Sequence, residues 1–347
     1  MSEFATRLIT WQRRHGRHDL PWQNTRDSYR VWLSEIMLQQ TQVATVIPYY
    51  ERFLARFPTL AALAAAPVED VMALWSGLGY YARARNLHCC ARAVVELHGG
   101  EFPRDPRAIA ALPGIGRSTA NAIAVFCFGA RAPILDGNVK RLLCRFLGIE
   151  GFPGTAAIES RLWRDGTALL PKRDVATYIQ AQMDLGATVC TRGKPRCTEC
   201  PISDLCSAYR HGHTAELPTP RPKRAVPEKR VTLLVLRKRG QVAFEQRPPA
   251  GIWGGLLSLP ELPDDADARG HCEQRLGLRL DAVSPAPTFA HSFTHFRLHI
   301  QPLICTVSDN MCLAEPGLRW LDQADLTQAA LPAPIRKMLN GVLSAIP

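Results

Sequence analysis

From the N-terminus to about residue 210, apolar residues recur every three or four positions, the spacing of one helix face. The stripes fall at Val31–Val46, Pro58–Ala66, Val68–Trp75, Ala82–Leu97, Arg107–Leu112, Arg117–Phe128, Val139–Phe146 and Val175–Leu185. Phe4, Leu8 and Trp11 trace a further face ahead of them. Gly77, Gly79, Gly99, Gly100, Pro103, Pro113 and Pro153 punctuate the series, as residues that turn or break helices should. The pattern changes across residues 216–230, where four prolines and five basic residues make an extended, poorly folding stretch. Beyond it, strands are expected at Val231–Arg237, Gln241–Gln246, Leu256–Leu259, Phe296–Thr306 and Leu318–Leu321, with helices at Ala268–Leu276 and Pro334–Ser344. The chain therefore predicts an all-α domain over 1–215, a linker over 216–230 and a small α+β domain over 231–347. No repeat with a solenoid period interrupts this plan.

Composition sharpens the picture in three places. With 347 residues, 46% of them hydrophobic, the chain can bury two cores of ordinary size. A formal net charge of +11 favours a polyanionic partner. The eleven cysteines are an odd number, four of them bunched, which suits a metal site in a reducing compartment better than a disulfide framework. No apolar run approaches a membrane span, and the first residues lack the apolar core of a signal peptide, so a cytosolic protein with no membrane partner is expected.

The chain is organised around Leu112-Pro113-Gly114-Ile115-Gly116-Arg117-Ser118-Thr119-Ala120. Gly114 and Gly116 make a tight turn that bares backbone N–H groups at the start of a helix, where partial positive charge accumulates and a phosphate can be held. A lone turn of this kind is usually just a helix–helix connection. Here a basic chain, the downstream Leu135-Asp136-Gly137-Asn138 and the cysteine cluster favour a helix-hairpin-helix phosphate grip.

Cys190-x6-Cys197-x2-Cys200-x5-Cys206 is the most specific signal. Four thiolates suit zinc or an iron–sulfur cluster. Zinc sites usually come as two CxxC pairs, whereas the wide first gap suits a [4Fe-4S] cluster. That gap carries Arg192, Lys194 and Arg196, a basic loop placed to meet phosphates. Glu35 stands in the apolar run Val31–Leu38. It is either a solvent-facing or paired glutamate, or a carboxyl in a cleft, where desolvation would make it a proton donor near neutral pH. Asp136 is either an Asx turn or a carboxylate facing a sugar. One carboxyl as acid and another as carboxylate is a common way to cut glycosidic bonds.

SEIMLQQTQVATVIPYY, GLGYYARARNL, LPGIGRSTA, ILDGNVKR and the four cysteines closely resemble adenine DNA glycosylases of the MutY type, over about residues 4–345. The resemblance implies an all-α helix-hairpin-helix DNA glycosylase domain plus a C-terminal α+β Nudix-like domain, with a [4Fe-4S] cluster. It implies excision of adenine opposite 8-oxoguanine or guanine in double-stranded DNA, by a monomeric, bacterial-type, nucleoid-associated enzyme. Glu35 is then the acid that protonates the adenine ring, and Asp136 the carboxylate that stabilises or traps the sugar cation. Gln40 and Tyr80 would fill the gap and wedge beside 8-oxoguanine, and Arg17, Trp22, Glu159 and Gln180 would line the adenine pocket. Gly114, Gly116 and Ser118 belong to the DNA-gripping hairpin. The related endonuclease III branch has a lysine where Ser118 stands and uses it to form a Schiff base. Serine cannot, so water is the expected acceptor, with slow trapping through Lys140 left open.

In the second domain, Arg247-Pro248-Pro249 and Gly251–Gly255 resemble the start of a Nudix motif. Gly255, Glu261 and Arg269 keep the register of Gly-x5-Glu-x7-Arg, but Gly270 and Gln274 stand where two acidic metal ligands belong. Hard divalent cations need those oxygens, so pyrophosphatase chemistry is expected to be lost. Phe293-Thr294-His295 sits where the resemblance implies reading of the oxidised base.

Overall fold

Helices follow one another through the first part of the chain. In order they are α1 (Glu3–His15), α2 (Ser28–Leu38), α3 (Val43–Arg56), α4 (Leu60–Ala65), α5 (Val68–Trp75) and α6 (Ala82–His98). There follow α7 (Pro106–Ala110), α8 (Arg117–Phe128), α9 (Gly137–Leu147), α10 (Ala156–Ala168), α11 (Val175–Thr188) and α12 (Ser207–Arg210). The computed structural model of the chain describes residues 2–222, 225–248, 251–293, 295–309, 317–327 and 329–344. Contacts divide it into two units, Met1–Ala65 with Asn86–Lys223, and Ala66–Arg85 with Arg224–Pro347.

Local sequence explains the helix boundaries that matter. Asp27 caps α2, its Oδ1 accepting from Tyr29 N at 2.9 Å, a frequent helix-start device. The stripe Val31–Val46 is not one helix: the polar run Gln39-Gln40-Thr41-Gln42 separates α2 from α3, and Gln40 takes a left-handed φ of 57°. Helix α8 ends at Gly129 and α9 at Gly148, both left-handed caps that glycine favours. Helix α10 shows no stripe in the sequence because only Leu162 and Gly166 are buried on it. In the core of this first unit α1 packs along α11, and α11 along α9. Phe4, Leu8, Leu142, Tyr178 and Leu185 meet there, fully or almost fully buried. Burying each such side chain contributes about 1.5–3 kcal/mol. Gly186 lets α11 come against the start of α9, for a Cβ there would stand 2.6 Å from Asn138 Cβ and 3.1 Å from its carbonyl oxygen.

The second unit is built on a mixed sheet. Its strands are β1 (Glu228–Lys238), β2 (Gln241–Gln246), β3 (Leu257–Ser258), β4 (Glu261–Leu262), β5 (Leu280–Pro285), β6 (Phe289–Ser292), β7 (Arg297–Val307) and β8 (Leu318–Asp322). The central path runs β3-β2-β1-β7-β5, with β1 and β7 parallel from Glu228↔Arg297 to Arg237↔Thr306. The other pairings are antiparallel. Strands β4, β5 and β6 escaped the alternation pattern because β4 has two residues and β5 and β6 each bury little of one face. Helix α13 (Ala268–His271) runs into a π-helical turn over Cys272–Leu276 that ends at left-handed Gly277, and α14 (Ala333–Ser344) closes the described chain. Leu234, Leu236, Cys272, Leu278 and Cys305 form the core between sheet and helix.

Residues 66–85 belong with this sheet, although they interrupt the helical series. Ser76 Oγ donates to Leu331 O at 2.9 Å and accepts from Arg336 Nη2 at 3.1 Å. Arg85 Nη1 donates to the carbonyl of Gly254. Among the described residues no helix is long and apolar enough to cross a membrane.

Candidate active site

Glu35 and Asp136 come from different elements and line the same cavity, of about 810 Å³, in the first unit. Glu35 sits in the third turn of α2, among Val31, Trp32, Leu33 and Ile36, all buried. It is partly accessible yet surrounded by protein. Loss of hydration and then the charge of Asp136 push its carboxyl up to about 8. At neutral pH Glu35 therefore carries its proton.

Asp136 is the N-cap of α9, and its Oδ1 accepts from Val139 N at 2.7 Å. The Asx-type and the cavity-facing readings of this residue are both true of it. Burial raises its pKa, while the N–H groups of Val139 and Asn138 and the charges of Arg141 and Arg17 pull it back. Two carboxyls in one cavity with such different surroundings divide naturally into a proton holder and a carboxylate.

Arg17, Trp22 and Gln180 line this cavity too, so three of the four pocket residues expected from the sequence gather around the carboxyl pair. Arg17 and Gln180 share an anchor that sequence reasoning missed. Asp184, 0% exposed, accepts from Arg17 N (3.0 Å) and Nε (2.8 Å), pairs with Arg17 Nη2 (2.7 Å) and accepts from Gln180 Nε2 (3.0 Å). Trp22 packs edge-on against Tyr50, with centroids 5.4 Å apart. His18, Gln42, Phe126 and Asn138 also line the space.

Glu159 is not brought to this cavity. It lies on α10, beside a separate cleft with Arg117, Trp163 and Arg164, and its Oε1 pairs with Lys140 Nζ at 2.9 Å. Gln40 sits in the loop between Leu38 and Thr41, which do line the cavity, but does not line it itself. Tyr80 belongs to the second unit and is 49% exposed.

The hairpin joins α7 to α8. Gly114 needs to be glycine, at φ +73° with Asn86 Cβ 2.6 Å from where a Cβ would be. Gly116 does not: its φ is −87° and the space around it is open, so it serves as an N-cap that leaves the amides bare. Ser118 Oγ accepts from Leu135 N at 3.1 Å, which ties the hairpin helix to the residue before Asp136.

Cys190, Cys197, Cys200 and Cys206 line one further cavity. Among the described residues no side chains converge as tightly as ligands of a single ion would. Four soft thiol donors facing a shared space fit a polynuclear iron–sulfur cluster. The loop is braced from α9. Arg141 donates to Cys190 O (2.8 Å), Asn138 Oδ1 (2.8 Å) and Gly186 O (2.6 Å). Buried Arg145 donates to Cys190 Sγ (3.3 Å), Thr191 O (2.7 Å) and Leu217 O (2.7 Å). Arg192, Lys194 and Arg196 are all exposed, and Arg196 also pairs with Glu199 at 3.1 Å.

In the second unit Arg247 Nη2 binds Glu261 at 2.9 Å, and Gly270 N donates to Asp267 Oδ2 at 2.8 Å. Phe293 stacks on Phe296 with centroids 4.4 Å apart and lies 6.1 Å from Trp253. His295 is exposed, and Thr294 lies outside the described residues.

Three family models match this chain. Residues 33–166 match the HhH-GPD superfamily base excision DNA repair protein, 190–206 the iron-sulfur binding domain of endonuclease III, and 231–341 the NUDIX domain. The chain is 34% identical over 340 residues to the adenine DNA glycosylase of Buchnera aphidicola subsp. Schizaphis graminum, spanning 97% of this chain and 98% of that one. It is 32% identical over 404 residues to the adenine DNA glycosylase of Homo sapiens, spanning 98% and 74% of the two chains. Among solved structures, a thermostable thymine-DNA glycosylase superposes with a TM-score of 0.55 at 30% identity, over 60% of this chain and 95% of its own.

Proposed function

The chain belongs to the adenine DNA glycosylase family, and on that premise we propose that Glu35 and Asp136 cut the glycosidic bond of adenine paired with 8-oxoguanine or guanine. It is a DNA-binding glycosylase of base excision repair that removes adenine. Its cofactor is a [4Fe-4S] cluster. The observation that supports the two carboxyls is their shared cavity, in which the charge of one raises the pKa of the other.

Adenine must leave the base stack to be reached. Trp22 offers the extruded base an aromatic face, while Arg17 and Gln180, held by Asp184, offer fixed polar contacts. Glu35 passes its proton to a ring nitrogen, the glycosidic bond breaks with its electron pair going to the base, and Asp136 faces the positive charge left on the sugar. Water completes the reaction. Ser118 carries no amine, and Lys140 is engaged by Glu159, so the enzyme is monofunctional; on this reading it acts as a monomer on mispaired duplex. Cys190, Cys197, Cys200 and Cys206 would hold the cluster, and ligation there would give the loop bearing Arg192 and Lys194 a rigid fold. Base release from duplexes with A opposite 8-oxoguanine, G, C or T, with and without alkali, tests this reading. Free adenine with strand breaks only after alkali is expected. Strand nicking without alkali would overturn the monofunctional assignment.

Because metal ligation is coupled to local folding, Cys197→Ser is expected to lose iron and labile sulfide together with most DNA affinity. Iron and sulfide analysis beside a gel-shift titration checks this; full affinity in an iron-free protein would remove the loop from the DNA contact.

Gly270 and Gln274 leave the Nudix-like domain without two of its metal carboxylates, and the domain reads the oxidised base through the Phe293–His295 loop instead. Ending the chain at residue 225 is therefore expected to leave adenine release opposite G but to erase most of the preference for 8-oxoguanine. It also strips α5 of its partners, so a lower melting temperature should accompany the change. A truncated protein with full preference would assign the reading to the helical unit.

A further inference from the structure

Tyr80 is held in an uncommon backbone state by a side chain that the mechanism above does not use. Its φ of +51° lies in the left-handed region, which disfavours a residue with a Cβ and persists only where neighbours over-determine it. Gly77 (φ +98°) and Gly79 (φ +76°) bend the chain just before it. Arg83, at the start of α6, sits beneath this loop. Its Nη2 donates to Gly79 O at 3.1 Å and Leu78 O at 3.4 Å. Its Cζ stands 5.3 Å from the ring centroid of Trp75 and 5.5 Å from that of Tyr80. Trp75 Nε1 donates to the same Gly79 carbonyl at 3.1 Å, so the loop is gripped from two sides. Burial pushes the pKa of Arg83 down only to about 10, and the guanidinium keeps its charge at neutral pH.

The two residues differ in exposure. Arg83 is half-buried, whereas Tyr80 is, among the described residues, one of the few large hydrophobic side chains that stand out into solvent. A planar cation that faces both aromatic rings while one of its nitrogens donates to two carbonyls couples a ring's direction to a loop's path.

We infer that Arg83 is a positioning residue for the discrimination of oxidised guanine, acting through Tyr80 rather than on DNA. The inference rests on the assignment of Tyr80 to the wedge beside the oxidised base. Free energy of presentation is thereby separated from free energy of contact: the tyrosine meets the duplex, and the arginine keeps the tyrosine from relaxing into the many conformations open to an exposed side chain.

A double-mutant cycle in the full-length, cluster-bearing protein tests this. The readout is the ratio of dissociation constants for duplexes carrying a non-cleavable adenine analogue opposite 8-oxoguanine and opposite G. Tyr80→Ala and Arg83→Gln are each expected to lower that preference about tenfold, between the scales of an exposed and a desolvated cation–π contact. The double variant should fall no further than Tyr80→Ala alone. Arg83→Lys should restore part of the preference and serves the same cycle if Arg83→Gln does not fold. Additive losses, or a loss with Tyr80→Ala and none with either Arg83 variant, would overturn the positioning role alone. An unchanged preference in Tyr80→Ala would bring down the wedge assignment and with it the role given to Arg83.

Discussion

Glu35→Gln is expected to slow adenine release in single turnover by roughly a hundred- to ten-thousand-fold, the span that general acid catalysis supplies. Glutamine keeps the shape of the side chain and removes only the acid, so DNA affinity should stay near that of the parent. In the parent the rate should fall as pH rises through about 8, where Glu35 gives up its proton. The sign of the stability effect follows from the same shift. A folded-state pKa raised from 4.5 to about 8 means that the folded protein binds the proton more tightly than the unfolded chain. The resulting stabilisation is complete below pH 4.5 and lost between there and about 8. Glu35→Gln should thus flatten the decline of melting temperature across that window. A variant that loses binding in step with rate, or a decline that glutamine leaves unaltered, would make Glu35 a structural residue.

Asp136→Asn is expected to cost about a hundred- to a thousand-fold in the same assay, because charge develops on the sugar in the transition state and not before. Asparagine retains an oxygen to accept from Val139 N, so the cap on α9 should hold and thermal stability should change little. The variant carries a second signature. The charge of Asp136 helps to raise the pKa of Glu35, so its removal should move the alkaline limb of the residual activity to lower pH. Finding that limb unmoved would show that the two carboxyls do not sense each other in the working enzyme.

Much of this site was legible in the sequence because its residues stand in local patterns that physics makes recognisable. Gly114 announces a turn that no side chain permits, Asp136 opens a helix as short polar residues do, and four cysteines at short spacing have few other uses. Asp184 was not legible. A carboxylate near the end of the apolar stripe of α11 looks like any surface charge until Arg17, 167 positions earlier in the chain, is seen to reach it. Glu159 shows the reverse case, a glutamate of the right type in the right motif that the fold turns towards Lys140 instead. The allegiance of α5 was hidden for a different reason: amphipathic periodicity tells which face is buried, and nothing about which domain buries it. Its Val71, Met72 and Trp75 would read the same against either unit.

Gly186 changes how lesions in such a chain should be sorted. It holds no charge, meets no base and stands fifty positions from Asp136, yet its missing side chain is the room in which Asn138, two residues past that aspartate, has to fit. An alanine there would push on the first turn of α9 and swing the carboxylate with it. A screen that scores variants by chemistry at the mutated position would file it as benign, and one that scores by activity would file it as catalytic. The residue is neither. It is a spacing between two backbones, and the smallest side chain that can be added is already too large for it.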